Sequence, residues 1–127
     1  MSFSSLGLYA TLLKKLAALG YTEAYPIQQQ AIPVIQNGKD LIACAQTGTG
    51  KTLAYLLPVL KTWKYNKNGS PTVLILVPTR ELVVQVAEVV EKLTEDMSTR
   101  VLGVYGGVNI NTQKLLVYEG VDILVGT

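Results

Sequence analysis

The sequence contains no histidine, and that absence excludes two kinds of chemistry. No imidazole is available as a general acid or base, and none is available as a metal ligand. Cysteine is nearly absent as well, since Cys44 is the single one. One thiol cannot form an intramolecular disulfide, and this usage suits a reducing cytoplasm. We therefore expect a cytoplasmic protein in which Cys44 is a small core residue.

Charge and long apolar runs are also scarce. Charged residues make up 16% of the chain and the net charge is +2, so no broad basic field indicates nucleic acid. No apolar run approaches the roughly 18 residues of a membrane span, so no membrane partner is expected. The opening Met1-Ser2-Phe3-Ser4-Ser5 lacks the basic and apolar segments of a secretory signal. With 49% apolar residues in 127, the chain predicts one globular domain, residues 1–127.

One stretch carries a strong chemical signal, Ala45-Gln46-Thr47-Gly48-Thr49-Gly50-Lys51-Thr52. The apolar run Asp40 to Cys44 before it predicts a buried strand, and Lys51 to Trp63 after it predicts a helix. A strand, a glycine-rich turn and a helix opening at Gly-Lys-Thr form the context of a phosphate-binding P-loop. The usual pattern begins with glycine, where this chain has Ala45.

The expected roles in this loop follow from its geometry. Gly48 and Gly50 permit a tight bend in which successive backbone N–H groups point into one concavity. The helix beginning near Lys51 adds unpaired N–H groups and the positive end of its dipole. Lys51 is expected to reach the β- and γ-phosphates of a nucleoside triphosphate, and the Thr52 hydroxyl to ligate Mg²⁺. The competing interpretation is an ordinary glycine-rich turn.

Apolar periodicity predicts an alternation of helices and strands. Such alternation is typical of an α/β protein with a parallel sheet and flanking helices. We expect Pro26 at the first position of a helix that Pro33 breaks or kinks. Taken alone, Pro78-Thr79-Arg80-Glu81 is a plausible helix start with Thr79 as its N-cap. The predicted helices are Leu8 to Leu19, Ile27 to Gln36, Lys51 to Trp63, a helix following Pro78-Thr79-Arg80-Glu81, and about Asn111 to Val117. The predicted strands are Asp40 to Cys44, Thr72 to Val77, Arg100 to Tyr105 and Val121 to Val125.

Several separated motifs, taken in order, resemble the DEAD-box RNA helicases. The opening Met-Ser-Phe…Leu-Gly-Leu and the run Ile-Gln-Gln-Gln-Ala-Ile-Pro are most similar to the bacterial RhlE-like subgroup. The resemblance implies an incomplete RecA-like P-loop domain that binds ATP and single-stranded RNA. The motifs are Phe3, Gly20-Tyr21 with Pro26-Ile27-Gln28, the P-loop, Pro78-Thr79-Arg80-Glu81-Leu82, Gly106-Gly107 and Val125-Gly126-Thr127.

The resemblance also implies residue roles. Gln28 matches the glutamine that reads adenine, Tyr21 the aromatic on which the base stacks, and Phe3 an upstream aromatic that supports the pocket. Residues matching the family's RNA-backbone contacts are Pro78, Thr79, Arg80, Gly106, Gly107 and Thr127. Taken singly, each has a plain reading: Gln28 as a solvated helix residue, Tyr21 as a packing residue, Gly106-Gly107 as a turn.

The sequence also departs from the family pattern. Ala24-Tyr25 stands where Pro-Thr is usual, and the chain contains neither Asp-Glu-Ala-Asp nor the following Ser-Ala-Thr motif. We therefore expect an N-terminal fragment of a helicase that lacks catalysis by itself. An engineered or truncated nucleotide-binding module and an unrelated P-loop kinase or ATPase are the alternatives. Because two strands that the family places between Asp40–Cys44 and Thr72–Val77 are missing, we expect strand re-pairing or self-association.

Overall fold

The computed structural model describes residues 2–48, 50–65 and 67–127. The chain divides into two compact units, Met1–Trp63 and Lys64–Thr127. The first unit is helical and the second carries the sheet. The helices are a 3₁₀ helix Phe3–Leu6, α1 Ala10–Ala18, α2 Pro26–Gln36, α3 Lys51–Thr62, α4 Arg80–Leu93 and α5 Ile110–Glu119. The strands are β1 Val73–Leu76, β2 Val101–Val104 and β3 Ile123–Gly126.

The first unit is built on the pairing of α2 with α3. Pro26 occupies the first turn of α2, where its missing N–H is no loss, and Gly38 adopts φ +75° just beyond the end of the helix. The apolar faces of the two helices are buried, with Ile32, Leu56 and Leu57 fully inaccessible to solvent. The predicted break at Pro33 is wrong, because α2 continues through Pro33 to Gln36.

The predicted strand Asp40 to Cys44 is also wrong. Residues 39–46 have no regular secondary structure, and the side chain of Ile42 is 95% exposed. A strand is stabilised by hydrogen bonds to a neighbour, and in the described chain none of the three strands pairs with this run. Cys44 is correspondingly exposed, so its predicted place in the core is wrong as well.

The second unit is a three-stranded parallel sheet in the order β1-β3-β2. The predicted parallel sheet with flanking helices is thus confirmed, with three strands instead of four. Helix α4 covers the face that carries Ile75, Gly103 and Val125, and the last two are register partners. At Gly103 the helix approaches so closely that a Cβ would lie 2.9 Å from Val83 Cγ1.

One buried carboxylate ties the three strands together where they begin. Asp122 is fully buried and accepts hydrogen bonds from Arg100 N at 2.7 Å, Arg100 Nε at 3.1 Å and Arg100 Nη2 at 3.1 Å. Its backbone oxygen accepts from the N–H groups of Thr72 and Val73, which lead into β1. These hydrogen bonds from Arg100 are the main reason why the pKa of Asp122 lies below its ordinary value.

Candidate nucleotide and strand-end sites

Both glycines of the glycine-rich loop that the structure describes have the positive φ of a tight bend. Gly48 has φ +81° and Gly50 φ +85°, a region that side chains bearing a Cβ rarely enter. Of the other predicted loop residues, Ala45 is half-buried, whereas Gln46 and Thr47 are exposed. Thr49 lies outside the described residues.

Helix α3 begins at Lys51 directly after Gly50, as the sequence predicted. Gly50 provides no side-chain cap, so the first N–H groups of the helix are not satisfied from that position. Lys51 is exposed at this end, where the helix dipole already favours an anion. Two positive-φ glycines, an uncapped helix start and an ammonium group thus lie within four residues.

Thr52 and Tyr55 lie three residues apart in α3. Burial raises the pKa of Tyr55, and the nearby Thr52 hydroxyl acts in the opposite direction. Among the described residues no cluster of three acidic, cysteine or histidine side chains could hold a metal. An Mg²⁺ ion here would have Thr52 as its protein ligand and would depend on phosphate oxygens for others.

Gln28 is where the structure adds most to the sequence. Its side chain is 1% exposed, so the reading as a solvated residue is wrong. The amide Oε1 accepts from Tyr25 N at 2.9 Å, and Nε2 donates to the Gly50 carbonyl at 3.0 Å. The side chain therefore ties the start of α2 to the end of the glycine-rich loop.

The two aromatic residues predicted for the base pocket differ in their surroundings. Phe3 is 4% exposed and belongs to the core of its unit, whereas Tyr21 is 38% exposed. Tyr25 is a residue that sequence reasoning missed: it is 54% exposed, and a Cβ at Gly50 would lie 2.7 Å from its Cδ2. The only sequence signal was its departure from the family's usual residue.

The first unit contains an apolar cavity of about 380 Å³. Helices α2 and α3 form its walls, and the segment after α2 that has no regular secondary structure, residues 39–46, contributes Leu41 and Ala43. Lys51 and Tyr55 supply its polar groups.

The predicted RNA-contacting residues all lie where the three parallel strands end. Parallel strands have their carboxyl ends at one edge of a sheet, and here Pro78, Gly106 and Thr127 each come within two residues of a strand's end. All six predicted residues are exposed: Pro78, Thr79, Arg80, Gly106, Gly107 and Thr127.

Two of these segments are in contact. A Cβ at Gly107, which has φ +84°, would lie 2.7 Å from Arg80 Nη1, so the guanidinium lies close to this turn. Thr79 is the N-cap of α4, as predicted, and its Oγ1 accepts from Leu82 N at 3.2 Å. The edge therefore combines an exposed cation with the start of a fourteen-residue helix. Both features suit an anion.

Comparison with known proteins agrees with these features. The sequence model described as "DEAD/DEAH box helicase" matches residues 25–127. An "ATP-dependent RNA helicase CshA" of Limosilactobacillus reuteri is 46% identical over 127 residues, which are the whole of this chain and 25% of that protein. A "Probable ATP-dependent RNA helicase DDX27" of Homo sapiens is 41% identical, and the match covers 100% of this chain and 17% of the relative.

A solved structure supports the same grouping. The RNA helicase Prp28 of Chaetomium thermophilum, bound to ADP, superposes with a TM-score of 0.89 at 40% identity. The match covers 99% of this chain and 32% of that one. The chain thus spans about a quarter of the CshA relative and a third of the Prp28 structure. No helix among the described residues is long and apolar enough to cross a membrane.

Proposed function

Because the chain belongs to the DEAD/DEAH box helicase family, we propose that it forms the ATP-binding part of an ATP-dependent RNA helicase. The observation that carries this proposal is the uncapped start of α3, with Lys51 exposed behind two glycines at positive φ. The whole protein would couple ATP hydrolysis to the separation of RNA strands. The ADP bound to the similar Prp28 structure supports the same ligand class.

In this proposal Lys51 and the first N–H groups of α3 bind the phosphates of ATP. Thr52 turns its hydroxyl oxygen toward Mg²⁺. Bound Mg²⁺ would neutralise phosphate charge. The loop residues Ala45, Gln46, Thr47, Gly48, Thr49 and Gly50 would supply backbone contacts.

Adenine recognition would use what remains of the hydrogen-bonding capacity of Gln28. A glutamine amide has two N–H donors and two lone pairs, and the structure uses one of each. The remaining donor and acceptor match the N6 and N7 edge of adenine, and because Gln28 is 1% exposed, neighbouring side chains must shift before a base can reach it. Tyr21 would stack on the base, and buried Phe3 would support the pocket from the core.

Nucleotide binding is tested by calorimetric titration of the 127-residue chain with ADP and GDP. We expect tighter binding of ADP, and a loss of at least about tenfold, near 1.4 kcal/mol, in Lys51→Ala. Lys39→Ala is the matched control, because Lys39 is an exposed lysine upstream of the loop. Equal losses in both variants would mean that Lys51 acts only through general charge, and equal affinities for ADP and GDP would exclude base reading.

We further propose that this chain alone does not turn over ATP appreciably. Phosphoryl transfer needs a residue that positions water and an arginine finger worth about 10³–10⁵ in rate, besides the phosphate cradle. The proposed machinery here consists of Lys51 and Thr52. Sustained RNA-stimulated phosphate release that Lys51→Ala abolishes would contradict this.

The exposed edge at the strand ends would bind the backbone of single-stranded RNA. Arg80 would pair with a phosphate, and the N-terminus of α4 and the turn at Gly106-Gly107 would supply N–H donors, with Pro78, Thr79 and Thr127 completing the surface. Fluorescence anisotropy with a labelled single strand tests it. Arg80→Ala should lower the slope of log K against log salt by about 0.7. Lys92→Ala, an exposed charge in the last turn of the same helix, should leave the slope unchanged.

Finer assignments belong to the same proposal. The RhlE-like subgroup rests on the opening residues and the Ile-Gln-Gln-Gln-Ala-Ile-Pro run alone, and cytoplasmic location rests on the lone Cys44. The second candidate is a truncated or engineered module that binds nucleotide without catalysis. Self-association through an unpaired sheet edge is also proposed.

A further inference from the structure

The backbone just beyond strand β2 is held by a side chain of helix α5. The N–H of Tyr105 donates to Gln113 Oε1 at 3.2 Å, and Gln113 Nε2 donates to the Tyr105 carbonyl at 3.0 Å. In an antiparallel ladder, two opposed residues exchange hydrogen bonds in the same reciprocal way. The register of β2 with β3 ends at Val104, so the Gln113 amide takes the place of a strand neighbour for the next residue.

This reciprocal pair fixes the backbone where the Gly106-Gly107 turn begins. Tyr105 is half-buried, whereas both glycines are exposed. Beyond the turn, Asn109 is the N-cap of α5, and its Oδ1 accepts from Asn111 N at 2.9 Å. A side-chain amide therefore holds the backbone on each side of the turn, and the two exposed glycines lie between these fixed points.

The turn also lies against the cation of the proposed RNA surface. A Cβ at Gly107 would lie 2.7 Å from Arg80 Nη1, so the guanidinium and the turn are in contact. If the backbone at Tyr105 changed direction, the turn would move relative to Arg80. The N–H groups of the turn would then no longer face the same phosphate as the guanidinium. Contacts thus run without a gap from Gln113 through Tyr105 and the turn to Arg80.

We propose that Gln113 is a positioning residue for binding of the RNA backbone at the Gly106-Gly107 turn and Arg80. Its side chain does not contact RNA but acts through the backbone of Tyr105. Gln113 lies outside the motifs that carry the family resemblance, and its role rests on the proposed RNA site. The competing role is attachment of α5 to the sheet, since every residue of this helix is half-buried or exposed.

Amide hydrogen exchange of the 127-residue chain, followed by NMR, tests the contact itself. Gln113→Met keeps the length of the side chain and removes its donor and its acceptor. We expect the Tyr105 amide to exchange at least about tenfold faster in this variant, because its N–H loses Gln113 Oε1. Gln85→Met is the matched control, since Gln85 is an exposed glutamine on α4 of the same unit. Equal exchange of the Tyr105 amide in the two variants overturns the contact.

Fluorescence anisotropy with a labelled single-stranded oligouridine tests the role in RNA binding, at a temperature where circular dichroism shows every variant folded. Gln113→Met should weaken binding at least about threefold, as expected for residues coupled through direct contacts, and Gln85→Met should not. In an Arg80→Ala background the loss from Gln113→Met should be smaller, because the turn no longer has a cation beside it.

Two results would restrict Gln113 to the attachment of α5 and overturn this inference alone. One is unchanged affinity in Gln113→Met, and the other is an equal loss in the wild-type and Arg80→Ala backgrounds. A wild-type chain that does not bind the oligouridine contradicts the proposed RNA site itself, and the role of Gln113 is then excluded with it.

Discussion

Replacing Gln28 with alanine removes the only side chain that the described structure shows bonded to both Tyr25 N and the Gly50 carbonyl. Its two hydrogen bonds, of 2.9 and 3.0 Å, would be lost together. A hydrogen bond contributes about 0.5–1.5 kcal/mol net, so the two should be worth about 1–3 kcal/mol. At roughly 4 °C per kcal/mol for a domain of this size, Tm should fall by about 4–12 °C.

The matched control is Gln29→Ala. Gln29 neighbours Gln28 on α2, and its Nε2 donates one hydrogen bond, to Ala24 O at 2.7 Å, away from the glycine-rich loop. Differential scanning calorimetry of both variants measures the difference directly. A Gln28→Ala variant no less stable than Gln29→Ala would refute the assignment of two bonds to Gln28.

The Gln28→Glu variant distinguishes the two hydrogen bonds through the pH dependence of its stability. Glutamate keeps an acceptor for Tyr25 N–H but, when ionised, directs a second oxygen at the Gly50 carbonyl. Burial at 1% exposure should raise the folded-state pKa of this glutamate above its ordinary value near 4.3, so stability is retained below that pH and lost as pH rises. Urea midpoints from pH 4 to 7 should fall relative to wild type, and a constant difference would contradict the geometry.

Two further predictions concern the sheet. Because Arg100 lowers the pKa of Asp122, the ion pair contributes stability above the ordinary aspartate pKa of about 3.9 and loses it as pH falls through the lowered value. The stability difference between wild type and Asp122→Asn, measured by urea denaturation, should therefore shrink below about pH 4. A difference that is the same at pH 3 and pH 7 would exclude this. Gly103→Ala should cost about 1–3 kcal/mol, because a Cβ there meets Val83 Cγ1 at 2.9 Å, whereas Gly106→Ala, with open space around it, should cost little. Equal thermal stabilities of the two glycine variants would count against the close packing of α4.

The sequence predicted most elements whose cause is local. Thr79 caps α4 and Pro26 opens α2 because a side chain or ring acts on the backbone beside it, and α3 begins at Lys51 directly after Gly50, which has positive φ. Predictions that depended on distant partners were less reliable. The run Asp40 to Cys44 has the composition of a buried strand, yet composition does not supply the neighbour that a strand needs.

The site shows the same division. The P-loop glycines and Lys51 are readable from their spacing, since positive φ and helix starts are local properties. The hydrogen bond between Gln28 and Gly50 joins residues that are twenty-two positions apart in the sequence. The contact of Arg80 with Gly107 joins the segment after β1 to the turn after β2. The sequence could not predict a role for Tyr25, because that role depends on the packing of its side chain against Gly50.

The two ends of the glycine-rich loop differ in their surroundings. Gln28 holds Gly50, and α3 follows at once, but residues 41–46 have no regular structure and are mostly exposed. Ordering the backbone of one residue costs about 1–2 kcal/mol. Because phosphate binding would have to order the residues before the loop, this cost would reduce the net free energy of binding. A partner that binds and orders residues 41–46 before the nucleotide binds would already have met this entropic cost. It would tighten phosphate binding without touching the phosphate.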